Sequence, residues 1–168
     1  MKLAFKEWSY IVDALGRGMQ NLIIRKGGIH EDEFTVKGKK FLLFPTLYHQ
    51  APTMIKGNWL PKLNGEAYNH ADNTVTINYY AEIVDTKIIS DKEVLSKLDY
   101  YHAWKDEVVS ERFERGEKKV HLLVVQVYKL AEPITLEQLP EYGGCKSWIE
   151  IDQNVNLEGE LVINPLFK

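Results

Sequence analysis

The chain has little cysteine, no long apolar run and no excess of basic residues, and each of these absences excludes a class of protein. Its 168 residues include one cysteine, Cys145, so neither an intramolecular disulfide nor a multi-cysteine zinc site is available. No stretch approaches the roughly 20 apolar residues of a membrane-spanning helix. Lysine and arginine total 21 against 24 acidic residues, giving a formal net charge of -3. This excludes a strongly basic nucleic-acid-binding tail but allows a local basic patch.

The composition predicts a single soluble domain over residues 1–168. Apolar residues make up 45% and charged residues 27%, which is typical of soluble globular proteins. No Gly/Ser linker or internal repeat divides the chain. The N-terminus reaches a charge at Lys2, which predicts no signal peptide, and together with the lone thiol this favours the cytoplasm. We expect no membrane partner, no metal and no cofactor.

Hydrophobic periodicity predicts a mixed fold. Apolar residues at helical spacing indicate a first helix over residues 5–15 that ends at Gly16. Two long alternating segments, residues 75–86 and 120–130, predict strands, and the first is long enough to bend or bulge. Shorter elements are expected as strands at residues 21–25, 34–36, 41–44, 146–151 and 161–163, with a helical turn at 135–138. Because regular βαβ alternation is absent, we expect an α+β fold: a small, partly closed mixed β-barrel with peripheral helices.

The first candidate site is Arg25-Lys26-Gly27-Gly28, directly after a predicted strand. Adjacent cations beside paired glycines supply charge and accessible backbone N–H groups, as a phosphate or anion cradle requires. The spacing is not that of a Walker loop. The alternative is a tight turn that carries two solvated cations.

The second candidate site follows the apolar strand at residues 41–44, where Thr46, Tyr48, His49 and Gln50 are gathered. Polar side chains at the end of a buried strand are well placed to line a pocket. Glutamine can contact base edges bidentately, and aromatic rings can stack on bases. The alternative is that these side chains satisfy the backbone of a loop.

Three further patterns point to less specific possibilities. Cys145 needs a basic partner to act as a nucleophile, and although five histidines are present, no protease signature surrounds it, so we expect a packed residue. Asp72, Asp85 and Lys87 resemble the carboxylates and lysine of Mg²⁺-dependent nucleases. However, a chain with this many acids and lysines contains about two Asp/Glu-x-Lys patterns by chance, and Asp85-Thr86-Lys87 is one such pattern. The charged helix after Trp104 predicts a solvated face, or a face that closes over a ligand.

Four segments in order make the chain similar to a known bacterial family. They are Phe5-Lys6-Glu7-Trp8, Leu22-Ile23-Ile24-Arg25-Lys26-Gly27-Gly28-Ile29, Phe41-Leu42-Leu43-Phe44-Pro45-Thr46 with His49-Gln50, and Gly144-Cys145-Lys146-Ser147-Trp148. The set resembles the family called domain of unknown function 1802, over nearly the whole chain. The resemblance carries no established activity. Some relatives stand beside restriction-endonuclease-like domains, which implies a place in restriction–modification or other DNA-directed defence.

The last third is similar, over a shorter stretch, to the tail of EVE-type domains in the PUA-like superfamily. That resemblance implies a small barrel that binds modified bases or RNA. We therefore expect a non-enzymatic module whose partner is DNA or RNA. Arg25, Lys26 and Lys40 would contact phosphate beside Gly27, Gly28 and Thr46, and a base-sized pocket would be lined by His49, Gln50, Tyr79 and Trp148. A Mg²⁺-dependent phosphodiesterase and a protein-interaction partner are the alternatives.

Overall fold

The computed structural model describes residues 2–26, 34–47, 49–65, 68–69 and 71–164, with only the backbone of Tyr68. The strands are β1 (Lys2–Trp8), β2 (Leu22–Arg25), β3 (Lys40–Thr46), β4 (Tyr68–Asn69), β5 (Thr74–Ile89), β6 (Val120–Glu137), β7 (Trp148–Ile151) and β8 (Gly159–Leu161). The α-helices are α1 (Ser9–Gly16), α2 (Lys92–Ser96) and α3 (Asp106–Glu114). Short 3-10 turns lie at Pro52–Met54, Leu60–Lys62, Asp99–Tyr101 and Pro140–Tyr142. The predicted α+β class is confirmed.

The first segment is a strand followed by a helix, so the prediction of one helix over residues 5–15 is wrong in its first half. β1 pairs in parallel with β3 and antiparallel with β7, and five consecutive residues from Ala4 to Trp8 are buried. A central strand covered on both faces has no polar-apolar alternation to reveal it. The apolar spacing of Phe5 and Trp8 therefore fits a helix by coincidence, and the true helix α1 begins only at Ser9.

The sheet follows the order β2-β6-β5-β3-β1-β7, with β4 attached to β5 and β8 attached to β6. Only the β1–β3 pair is parallel among the described strands. The sheet does not close into the predicted barrel. Within the described residues β2 pairs only with β6 and β7 only with β1, so these two strands are the edges of the sheet. The edges nevertheless approach through side chains, since Arg25 Nε of β2 donates to Ser147 Oγ, just before β7, at 3.1 Å.

The two long strands, β5 and β6, form the antiparallel spine of the sheet. Their register shifts twice, between Ile77 and Tyr79 and between Ile83 and Asp85, which confirms the expected irregularity in the first long strand. β6 continues to Glu137, so the predicted helical turn at residues 135–138 is wrong. Pairing of β6 with β5 supplies backbone partners that a single helical turn would not provide.

Apolar clusters cover both faces of the sheet. Neighbouring residues of β1 show the division, because Phe5 belongs to the larger cluster and Ala4 to the smaller one. α3 contributes Val109 and Phe113 to the larger cluster, which fixes this helix over the ends of β1 and β2. No helix in the described part of the chain combines the length and apolar character needed to cross a bilayer.

Candidate anion-binding cavity

A cavity of about 370 Å³ lies where several strands end together. β1 and β3 run in parallel, so Trp8 and Thr46 stand side by side at the same end of the sheet. Arg25 at the end of β2, one face of α3 and the loop before β7 complete the walls. The cationic side chains that line the cavity are Lys6, Arg25, Lys26, Arg112, Arg115 and Lys146. Glu111 is the single carboxylate among the described lining residues.

This concentration of positive charge contrasts with the rest of the molecule. The whole chain has a net charge of -3, yet three of its four arginines face this one cavity. Like charges repel at short range, so converging cations raise the free energy of the empty site. A concave surface lined by one sign of charge attracts ligands of the opposite sign. The cavity therefore has the electrostatic character of an anion-binding site.

Arg25 is held in place from two sides. Its Nε donates to Ser147 Oγ, and its guanidinium lies 5.2 Å from the centre of the Phe5 ring. Its Nη1 lies 3.9 Å from Oε2 of Glu7, a fully buried carboxylate whose other oxygen accepts a hydrogen bond from the Trp8 backbone N–H. Glu7 thus offsets part of the charge of Arg25 without occupying the cavity lining. The guanidinium is oriented before any ligand arrives.

Lys6 projects from the middle of β1 and is only 3% exposed. Its Nζ donates to the backbone carbonyl of Gly144 at 2.7 Å. Burial, and then the nearby positive charge of Arg25, lower the pKa of Lys6 to about 8. Near neutral pH this ammonium group is therefore mostly charged but is unusually ready to lose its proton.

Arg112 of α3 is packed between two indole rings. Its guanidinium carbon lies 5.2 Å from the centre of the Trp8 ring and 4.9 Å from that of Trp104. Its Nη1 donates to the carbonyl of Ile24 at 2.9 Å, which ties α3 to β2. Burial lowers the pKa of Arg112 to about 10, so it remains charged at neutral pH.

Lys26 contributes charge while its hydrogen-bonding capacity is used by the backbone. Its Nζ donates to the carbonyls of Phe113 and Lys119, at 3.5 and 2.6 Å, and also to that of Glu117. Three donors meet three acceptors, of which one carbonyl belongs to the last turn of α3 and two lie beyond its end. Burial, and then Arg115, lower the pKa of Lys26. Lys26 would therefore attract an anion through its positive charge and not through a hydrogen bond.

The sulfur of Cys145 and the imidazole of His49 face each other on the same cavity wall. Cys145 Sγ lies 3.8 Å from His49 Nε2, and both residues line the cavity. His49 itself has φ 60°, which is uncommon for a residue other than glycine, and Gly144, just before the cysteine, has φ 74°. Cys145 is half-buried and lines the cavity, and its role as a packed residue stays a prediction.

Part of the predicted site is brought together. Arg25, Lys26, Thr46 and His49, from two segments distant in sequence, line the same cavity. Gly27 and Gly28 lie outside the described residues. The structure places the remaining four predicted residues away from the cavity lining: Lys40, Gln50, Tyr79 and Trp148.

Trp148 and Gln50 have structural roles instead of the predicted contacts with a base. The Trp148 ring is 5% exposed, packs against Phe5 and Phe41, and donates its Nε1–H to the Thr35 carbonyl at 2.8 Å. Gln50 Oε1 accepts the backbone N–H of Tyr10 at 2.9 Å, and so satisfies one of the unpaired donors in the first turn of α1.

Tyr79 and Lys40 also lie elsewhere. Tyr79 packs on Gly16 so closely that a Cβ at that glycine would lie 2.2 Å from the ring. Lys40 is at the opposite end of β3 from Thr46, where its Nζ lies 3.6 Å from a carboxylate oxygen of Glu82. Neither side chain lines the cavity.

The residues of the nuclease alternative are not assembled into a site. Asp72 lies before β5 and accepts a hydrogen bond from Asn69, whereas Asp85 pairs with Lys87 near the far end of that strand. Eleven strand residues span up to about 35 Å. No group of three or more metal-ligating side chains occurs within the residues that the structure describes.

Sequence reasoning missed Lys6, Arg115 and Lys146 as lining residues. Lys6 was hidden by the apparent helix, although a charged pair inside an apolar segment, Lys6-Glu7, was a usable signal. Arg112, in the last turn of α3, and Arg115, directly after the helix, are three residues apart and line the same cavity. Both arginines line the cavity wall, and closure of this helix over a ligand stays a prediction. Each of the four segments that carry the family resemblance supplies at least one lining residue.

Solved structures identify the class of fold. The ASCH protein from Zymomonas mobilis matches with 12% identity and a TM-score of 0.53, over 90% of this chain and 87% of that one. A mutant of the same protein matches with 12% identity and a TM-score of 0.55, over 90% of this chain and 88% of that one. At this identity the likeness concerns the fold alone, which resembles that of the ASCH protein.

The family follows from the sequence match. Residues 4–164 match the family described as Domain of unknown function (DUF1802), and the chain belongs to it. No curated protein matches the chain significantly. The separate resemblance of the last third to EVE-type domains has no support in these matches, and residues 132–137 are the end of β6.

Proposed function

We propose that this protein is a non-enzymatic nucleic-acid-binding module that holds phosphate in the cationic cavity. The observation that carries the proposal is that six cations and one carboxylate, counted over the described residues, line a single cavity. Arginine and lysine are the usual phosphate ligands of proteins, and arginine adds planar, bidentate donors. The likeness in fold to the ASCH protein is consistent with this partner.

The size and walls of the cavity favour a short unit of a single strand over a duplex. About 370 Å³ lies at the low end of the range for ligand pockets, roughly 300–1,000 Å³. Trp8, Met54 and Val108 supply apolar surface beside the cations. A cavity with a charged side and an apolar side suits a phosphate joined to a sugar and an unstacked base. Bases reach such cavities in single strands or after flipping.

The negative net charge of the whole molecule limits the number of phosphates engaged. Non-specific binding to duplex DNA depends on many phosphate contacts spread over a basic surface. Here the cations are concentrated at one place and the chain as a whole is acidic. We therefore expect recognition of one or two phosphates, with weak affinity for long duplexes.

The test is a titration of the protein with fluorescent single-stranded RNA and DNA oligonucleotides, plain and with modified bases, at 50 and 200 mM salt. If two phosphates are neutralised, the slope is about -1.4, and the affinity falls roughly sevenfold over this fourfold change in salt. Lys146→Gln and Arg115→Gln should each weaken binding several-fold. Lys129→Gln removes an exposed cation on β6, outside the cavity lining, and should leave binding unchanged.

Two results would contradict the proposal. One is the absence of binding to any oligonucleotide at 50 mM salt. The other is binding that Lys129→Gln weakens as much as Lys146→Gln, because the surface charge alone would then account for it. Preference for DNA with modified bases would favour the further proposal of a role in restriction or another DNA-directed defence system, and preference for RNA would count against that role.

A further inference from the structure

The distribution of charge in the cavity points to a more specific ligand: we infer, on the basis of the proposed function, that it receives the phosphorylated end of a nucleic-acid strand. An internal phosphodiester, by contrast, would pass across the opening. The two ligands differ in charge, in the number of substituents on phosphorus and in the number of acceptor oxygens. The cavity discriminates between them on each of these points.

The first argument is charge balance. Among the described residues the lining carries six cations and one carboxylate, and the buried Glu7 lies beside Arg25, so cations outnumber carboxylates around the cavity. An internal phosphodiester brings one negative charge for each nucleotide. A terminal phosphate monoester carries about -1.5 to -2 at neutral pH and has three strong acceptor oxygens. The dianionic group therefore compensates more of the excess within the volume of one nucleotide.

The second argument is the arrangement of the cations. They come from β1, from the end of β2, from α3 and from the loop before β7, so they surround the cavity from different sides. Proteins that bind the backbone of a continuous single strand instead use a groove whose cations follow its path. Lys6 is 3% exposed and lies deep, whereas Lys146 and Arg115 are exposed. A group attached through one ester bond can reach a deep cation more easily than one attached through two.

The third argument is the availability of donors. Lys6 Nζ makes one hydrogen bond, to the Gly144 carbonyl, and an ammonium group has three donors. Arg25 uses its Nε–H on Ser147. Lys146, next to Cys145 in the loop, forms no hydrogen bond or ion pair within the described residues. Lys6, Arg25 and Lys146 therefore offer donors at three points, which matches the three oxygens of a terminal phosphate.

The experiment compares one ten-nucleotide RNA in three forms: with a 5′-hydroxyl, with a 5′-phosphate and with a 3′-phosphate. A nucleoside 5′-monophosphate serves as an unlabelled competitor. We expect one phosphorylated end to bind at least tenfold more tightly than the 5′-hydroxyl form. Lys146→Gln should remove most of this gain, and Lys6→Met should do the same if it folds. The matched control Lys129→Gln should keep the gain in full.

The possible results separate this inference from the proposed function. If all three RNAs bind equally and Lys146→Gln weakens all three equally, end recognition is wrong and nucleic-acid binding through the cavity stands. If the monophosphate binds but no RNA does, both the recognition of a strand end and the proposed nucleic-acid-binding function are overturned. If the phosphorylated RNA binds more tightly but Lys129→Gln removes the gain, the cavity is not where the end phosphate is held.

Discussion

The buried ammonium group of Lys6 makes stability depend on pH in a direction that is unusual for a lysine. Replacing it by methionine removes the charge and keeps an unbranched side chain of similar length. In the folded protein the pKa of Lys6 is about 8, whereas the ordinary value is 10.5. The folded state therefore binds this proton less well than the unfolded state does. The stability penalty is fully present below pH 8 and is relieved as pH rises from about 8 toward 10.5.

The magnitude follows from the two pKa values. Between pH 7 and pH 10 the free energy of unfolding of the native sequence should rise by about 2 kcal/mol relative to that of Lys6→Met. Taking a urea m-value of about 2 kcal/mol/M, the difference between the two urea midpoints should change by about 1 M. Other groups titrate over this range in both proteins, so their contributions cancel in the difference.

The assay is urea unfolding of both proteins at pH 7, 8, 9 and 10, followed by tryptophan fluorescence and circular dichroism. Phosphate-free buffers are required, because an anion in the cavity would stabilise the charged form of Lys6. Lys129→Gln, which removes an exposed lysine on β6, is the matched control for the loss of one positive charge. Parallel profiles for the native protein and Lys6→Met would refute the reasoning, because Lys6 would then titrate alike in the folded and unfolded states.

Two other substitutions test how the cations are held. Arg112→Lys should lower the free energy of unfolding by about 1–2 kcal/mol in urea titrations, because an ammonium group cannot stack between Trp8 and Trp104 as a planar guanidinium does; an unchanged midpoint would contradict this packing. Lys26→Met should cost about 2 kcal/mol or more, because three backbone carbonyls lose a charged donor. A loss no larger than that of the exposed-site control Lys129→Gln would show that these hydrogen bonds contribute little.

The sequence predicted the fold class because long alternating strands are a local signal. Residues 75–86 and 120–130 lie inside β5 and β6, whose outward faces are polar enough for the period of two to be visible. β1 has both faces covered, so its pattern contains no such period. The openness of the sheet could not be predicted either, because closure depends on whether β2 and β7 pair, and that is a matter of tertiary geometry.

The candidate site was predictable to the extent that it lies at strand ends. Arg25 and Thr46 end β2 and β3, and polar residues after apolar strands are visible in a sequence. Lys6 and Gly144 are in contact across 138 positions, and no local pattern encodes such a pair. The sequence could not place Trp148, because an aromatic residue near a strand end suits a base platform as well as it suits the core. Only its contacts with Phe5 and Phe41 distinguish the two.

The buried cations are more informative about function than about stability. Apolar residues in place of buried charges often leave a protein equally or more stable, because taking a charge from water is costly. Lys6 lies in the central strand β1, where an apolar residue would satisfy the packing, and Arg25 stands close enough to lower its pKa. Glu7 is the carboxylate within reach of Arg25, and it does not face the cavity. Within the described residues, carboxylates offset this electrostatic cost only in part, and a bound anion would supply further counter-charge.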